Sequence, residues 1–274
     1  MRLSAHSLLA AARTGAVATF LALSPAVGQE RVAATAGSAG GGGATVATVA
    51  TRPFLPGEAL RYDVRFGSIR VGSGSMEVKG IEPVRGRQAY HTVFRVTGGT
   101  AFFKVNDVFE SWFATDDLSS LRFYKDQDEG WKERTRRYDI FPERATFDDV
   151  LDKEPEQKSV SNPLDDGSFL YFIRTVPLTV GQTSHFDRYY RPDRNPVTIK
   201  VLRKERVTVP AGTFDAIVVQ PIIKTKGIFS EGGHAEVWLS DDERRVMLQM
   251  KSKLSFGSLN LYLTSATPGR PLTR

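Results

Sequence analysis

The chain has 274 residues, no cysteine, and 37 Lys and Arg against 31 Asp and Glu. The missing cysteine excludes a disulfide framework and a thiolate metal site. The excess positive charge, +6, favours anionic surfaces but carries no information about fold.

The first 28 residues read as an export signal. Arg2 and Arg13 supply positive charge, Ala16 to Leu23 a short apolar core, and Ala26-Val27-Gly28 a small-residue cleavage site. The core is too short to span a bilayer as a helix, and no Cys follows it to carry a lipid. Loss of Arg2 and Arg13 with this segment leaves a charge of +4. Residues 29–52, rich in Gly and Ala, have no large apolar side chain and read as a disordered tether.

Residues 53–150 read as a first β lobe. From Glu58 to Phe66 the side chains alternate, with Leu60, Tyr62, Val64 and Phe66 on one face. Gly67 to Gly74 predicts a bend or bulge before Met76 and Val78 resume the strand. Pro83 to Gly86 reads as a turn. Strands follow over Gln88–Thr97, Lys104–Ala114, Leu121–Gln127, Trp131–Ile140 and Arg144–Val150.

Residues 151–176 read as a linker and a helix. Leu151 to Asn162 is charged and reads as a loop. Asp165 and Asp166 then precede Phe169, Phe172, Ile173 and Val176, at helical spacing, which predicts a helix over about 166–176. Residues 177–266 read as a second β lobe, with strands over Thr183–Tyr190, Val197–Val201, Asp215–Ile223, Ala235–Ser240, Val246–Leu254 and Ser258–Thr264. Residues 267–274 read as a flexible tail.

The lobes repeat one another. Glu110-Ser111-Trp112 leads to Asp116-Asp117, and Glu236-Val237-Trp238 leads to Asp241-Asp242. Pro53 and Gly57 match Pro177 and Gly181. This spacing implies a duplication of antiparallel β lobes, curled into barrel-like or half-barrel sheets, either as one sheet or as two. Trp112, Trp238, Asp241 and the turn residue Gly212 read as structural.

Gly57-Glu58-x-Leu60-x-Tyr62-x-Val64, Ile69-x-x-Gly72, the run Asp165 to Arg174, Val209 to Phe214, and Val237 to Arg245 together resemble the bacterial envelope proteins of domain of unknown function 3108. The resemblance runs from about Pro53 to Leu263. Val246 follows Arg245 where that family usually has Pro. The resemblance implies an exported β-rich protein without an agreed activity.

The residues give little support to catalysis. Gly72-Ser73-Gly74-Ser75 lacks the spacing of a nucleophile elbow, and the Asp pairs fit turns and caps. His185 with Asp187 and His234 with Glu236 would have to converge across the lobes to hold a hydrolytic metal, and no short-range ligand cluster exists. The expectation is therefore a non-enzyme without metal or cofactor.

Basic and aromatic residues interleave at Trp131, Arg134 and Arg136, and again at Arg188, Tyr189 and Arg191. Such groups bind anions and stack on rings. Export argues against nucleic acid, so an anionic glycan or a lipid headgroup is the expected ligand. The alternative use is as a solvated sheet face that protects strand edges. Phe169, Phe172 and Ile173 either line an acyl cavity or plug the sheet. The leading function is binding a lipid or glycan-like envelope component. A structural module with an envelope protein partner comes second, and a metal-dependent hydrolase third. No integral membrane span is expected.

Overall fold

A computed structural model of the chain describes residues 52–100, 103–128, 133–224, 235–254 and 257–271. The predicted export signal and nearly all of the predicted tether lie outside them. Fourteen strands are described: β1 (Ala59–Phe66), β2 (Ile69–Val84), β3 (Arg87–Thr100), β4 (Phe103–Ala114), β5 (Ser120–Asp128), β6 (Glu133–Phe141), β7 (Thr146–Asp149), β8 (Gln157–Lys158), β9 (Thr183–Phe186), β10 (Val197–Val209), β11 (Gly212–Ile222), β12 (Glu236–Ser240), β13 (Met247–Leu254) and β14 (Gly257–Thr267). One helix, α1 (Asp166–Phe172), falls between β8 and β9.

All fourteen strands belong to one antiparallel sheet, in which every strand except at one place lies beside its neighbour in sequence. The exception is the pairing of β1 with β14, where Tyr62 faces Leu263 and Val64 faces Leu261. This pairing unites the two repeated stretches. The sheet's free edges are then β8 and β9, which are consecutive along the chain. Residues 159–165 bridge them: Ser159 Oγ donates to Tyr190 O at 2.8 Å, Tyr190 N donates to Leu164 O at 2.9 Å, and Leu164 makes a parallel bridge to Tyr189. The sheet is thus a barrel-like wall with a seam closed by a linker. Edge strands of two and four residues leave little unpaired backbone exposed.

Alternation sets the inner face. Leu60, Tyr62 and Val64 are buried, as are Val237 and Leu239 on β12 and Val197, Ile199 and Val201 on β10. Helix α1 lies inside this wall, with every residue from Gly167 to Phe172 buried, as expected of a helix without a polar face. Asp165 caps it, accepting from Gly167 N and Ser168 N at 2.8 Å, while Ser168 Oγ accepts from Asp165 N at 2.9 Å. Phe169, Phe172 and Ile173 belong to the main core cluster.

Several local expectations change. The helix ends at Phe172, short of 176. Arg174 N and Thr175 N donate to carbonyls three residues back, Tyr171 O and Phe172 O, and Pro177 disfavours helical geometry just before it. Strand β9 stops at Phe186 instead of reaching Tyr190. Asn195 binds both Tyr189 N (2.8 Å) and Tyr189 O (3.0 Å), turning the chain out of the ladder. The predicted loop 151–162 contains β8. The bend or bulge expected over Gly67 to Gly74 is present, as a turn at Gly67-Ser68 and a register shift that leaves Val71 between the pairs Val64–Gly72 and Arg65–Arg70. Gly72 itself is paired with Gly98, and a Cβ there would collide with Thr97 O.

The repeat recurs in the backbone. Gly57 N donates to Val78 O and Val78 N to Glu58 O, at 2.7 and 2.9 Å. Gly181 N donates to Val201 O and Val201 N to Gln182 O, both at 2.9 Å. Gly57 and Gly181 have φ of +83° and +85°, which favours glycine. At the other terminus the predicted tail begins in β14, and Arg270 N donates to Pro56 O at 2.9 Å. Among the described residues no helix is long and apolar enough to cross a membrane.

Candidate functional site

The register of β3 to β6 arranges inward side chains in rows. In one row Phe94, Phe109, Lys125 and Arg136 are successive cross-strand partners. The next row toward the helix cap is Thr92, Ser111, Phe123, Tyr138 and Asp149. Ser111 Oγ donates to Asp165 Oδ2 at 2.6 Å, which fixes this second row against α1. Phe123, Tyr138 and Asp149 are buried, whereas Phe94, Phe109 and Lys125 are only partly covered. Lys125 is therefore a lysine on the inner face of the wall.

An aromatic cluster forms the floor beneath it. The Phe123 and Tyr138 rings stack at 6.1 Å, Tyr190 meets Tyr138 at 5.4 Å, and Phe147 packs edge-on to Tyr190 at 5.2 Å. Arg191 lies across three of these rings, 5.4 Å from Tyr138, 5.2 Å from Phe147 and 5.4 Å from Tyr190. Its Nε donates to Tyr190 Oη at 3.2 Å. Lys125 Nζ stands 5.9 Å from the same Tyr138 ring and 6.0 Å from Phe123. Among the described residues neither cation has a carboxylate oxygen within 4.0 Å.

Desolvation lowers the Lys125 pKa from the ordinary lysine value, and Arg134, Arg194 and Arg191 push the same way. Asp166 opposes them. That carboxylate already accepts from Tyr189 Oη at 2.7 Å.

The other residues expected at a site have separate tasks. Arg136 is neutralised by Asp152 at 2.6 Å and Asp149 at 3.6 Å. Arg188 binds the linker at Asn162 O (2.8 Å) and the turn at Asp117 O (3.0 Å), with its guanidinium 4.8 Å from Phe172. Burial lowers its pKa. Tyr189 is buried, and Arg134 is exposed on β6. Trp131 lies outside the described residues. Of the basic and aromatic residues, then, Tyr189 bridges to Leu164 at the seam and Arg191 lies across the Tyr138, Phe147 and Tyr190 rings, while Arg136 and Arg188 are engaged in holding chain segments together. Lys125 was missed, although Phe123 and Lys125 share one face of an alternating strand.

Trp112 and Trp238 face outward and make equivalent bonds. The Trp112 indole N–H donates to Glu82 on β2, and the Trp238 N–H to Glu205 on β10 at 2.6 Å, each reaching across one intervening strand. Asp241 pairs with Lys204 at 2.8 Å, and Gly212 holds φ of +137° in the β10–β11 turn. His185 meets Thr198 at 2.9 Å, and Glu236 pairs with Arg203 at 2.8 Å, with β10 and β11 between β9 and β12. Asp187 is exposed, and His234 is outside the described residues. Among the described residues no three His, Asp or Glu stand together to hold a metal.

A separate cleft of about 820 Å³ opens where the chain enters β1, lined by Arg52, Phe54, Glu58, Asp242, Arg244 and Gly269 among others.

The model of a family described as "Protein of unknown function (DUF3108)" matches residues 61–264. No curated protein matches the chain. Among solved structures, the chain is similar to a beta-barrel-like protein of domain of unknown function DUF1849 from Brucella abortus, at 11% identity and a TM-score of 0.49, covering 78% of this chain and 98% of that one. It is also similar to a protein from Parabacteroides distasonis with a provisional lipoprotein name, at 13% identity and a TM-score of 0.36, covering 79% and 99%. A hypothetical protein from Chlamydia trachomatis matches at 11% identity and a TM-score of 0.25, covering 80% and 93%.

Proposed function

The chain belongs to the DUF3108 family, proteins of unknown function, and from that premise we propose that it is an exported, non-catalytic protein of the cell envelope that binds a lipid- or glycan-like envelope component on the inner face of its barrel-like wall. One observation carries this reading. The inward row Phe94–Phe109–Lys125 is left half covered, although inward residues of the rows around α1 are buried. An apolar strip with a polar group is the usual composition of a small-ligand site. Leu259, inward on β14, is likewise only partly buried. The leader-like residues 1–28 support export. The buried side chains of α1 plug the wall, so the ligand lies against the half-covered row and not around the helix.

Native mass spectrometry of protein purified from its own periplasm without detergent tests the reading. A reproducible added mass that extracts as lipid or glycan is expected. A bare mass that persists after lipid and glycan extracts are offered overturns it, as does recovery of the protein from the cytoplasm alone.

A further inference from the structure

We infer that Lys125 and Arg191 form a seat for a single phosphate or carboxylate group, and that the ligand is an anionic amphiphile. The inference rests on the binding reading above and adds the chemistry of the head group.

Lys125 and Arg191 face one ring, Tyr138, at 5.9 and 5.4 Å. They come from different parts of the chain, β5 and the segment after β9, and reach the same ring only because the seam closes. The nearby carboxylates make no contact with either cation: Asp166 accepts from the neutral Tyr189 hydroxyl at 2.7 Å and acts on Lys125 only from a distance, and Asp149 and Asp152 pair with Arg136. Arg136, in the same row as Lys125, shows how the fold treats a cation it means to neutralise. Lys125 and Arg191 are instead supported by ring faces, which attract a cation without cancelling its charge. A half-buried ammonium with no carboxylate in contact is costly. An arriving anion would offset that cost with charge-assisted hydrogen bonds from both groups. Phe109 and Phe94 continue the row away from Lys125, so an alkyl chain attached to that anion has an apolar surface to follow. Desolvation of Lys125 has the same sign, since it is a charge held in poor solvent.

The test uses the folded chain and four probes below their micellar concentrations: dodecyl phosphate, dodecyl phosphocholine, dodecyl maltoside and inorganic phosphate, each titrated calorimetrically. Dodecyl phosphate is expected to bind at least about tenfold tighter than the maltoside, a difference of one decade in Kd. Lys125→Met should abolish that preference, Lys125→Arg should keep it, and Lys251→Met, on the outer face over Trp238, should change nothing. Equal binding of the three dodecyl probes, or a preference that survives Lys125→Met, overturns the anion seat while leaving the binding reading intact. Failure of every dodecyl probe to bind removes both. Inorganic phosphate binding alone, lost in Lys125→Met, upholds the seat but assigns it to free phosphate and sinks the amphiphile.

Discussion

The Glu58 carboxylate closes on the Arg174 guanidinium at 2.6 and 2.9 Å across 116 positions of sequence, with side-chain exposures of 3% and 0%. The same guanidinium donates to Pro53 O at 3.0 Å and Arg244 O at 2.9 Å. It thereby ties the entry to β1, the exit from α1 and the acidic turn of the second half together. Phe54 and Tyr171 flank it, with ring centroids 5.4 and 5.8 Å away.

Removing one partner strands the other charge in the core. Glu58→Gln or Arg174→Met should each lower stability by about 3 kcal/mol or more, read from urea midpoints. Burying the pair has its own desolvation cost, so Glu58→Leu combined with Arg174→Met should recover a large part of the loss. A single variant within about 1 kcal/mol of the parent contradicts the role of the pair.

Asp165 supplies a pH dependence. Burial raises its pKa to about 6, against hydrogen bonds from Ser111, Ser120 and Ser168 N that favour the ionised form. A carboxylate raised on folding contributes stability that is fully present below its unfolded pKa and is lost as pH rises through the folded value. The window is therefore from about pH 4 to somewhat above pH 6. Across it the parent should lose on the order of 2 kcal/mol relative to Asp165→Asn. Melting curves of both proteins from pH 4 to 7 decide the matter, and a constant difference between them refutes it.

Gly72 has a cost that its conformation does not reveal. Its backbone needs no positive φ, yet a Cβ there would meet Thr97 O and Gly98 Cα of the paired strand. Gly72→Ala must push β2 from β3 and should cost about 2 kcal/mol, whereas Gly80→Ala, with open space around it, should be much milder. Chemical denaturation of the two variants compares them, and equal midpoints would refute the close-approach account.

The duplicated tryptophans should behave alike. Each indole N–H reaches a glutamate two strands away, and each ring has a guanidinium beside it: Arg122 at 5.7 Å from Trp112, and Arg203 at 5.6 Å from Trp238. Trp112→Phe and Trp238→Phe each lose a hydrogen bond to a charged acceptor and should each cost about 1–3 kcal/mol. If thermal unfolding shows one to be neutral and the other severe, the two positions are not energetic equivalents.

Alternation of side chains was enough to place most strands. A strand's two faces are written into its own sequence, and Leu60-x-Tyr62-x-Val64 or Val237-x-Leu239 needs no distant information. The Asp165 cap and the doubled Glu-x-Trp with its Asp pair were legible for the same reason, because caps and turns are local chemistry. Helix length was not: the last turn tightens at Arg174 and Thr175, ahead of Pro177, where the apolar spacing alone continues to Val176. Nor did the basic residues reveal their uses: Arg136 and Arg188 are engaged by particular carboxylates and carbonyls, while Lys125, in an unremarked alternating position, faces inward.

The sequence by itself determined an all-β chain of repeated units with one capped helix. Only the tertiary structure decided that the units share a single sheet through β1 and β14, that the seam falls at the linker, and that Lys125 and Arg191 stand 5.9 and 5.4 Å from the Tyr138 ring centroid. The reason is physical. Side-chain periodicity reports which way each residue points, but which strands pair across a closing wall depends on the whole wall at once and leaves no local mark.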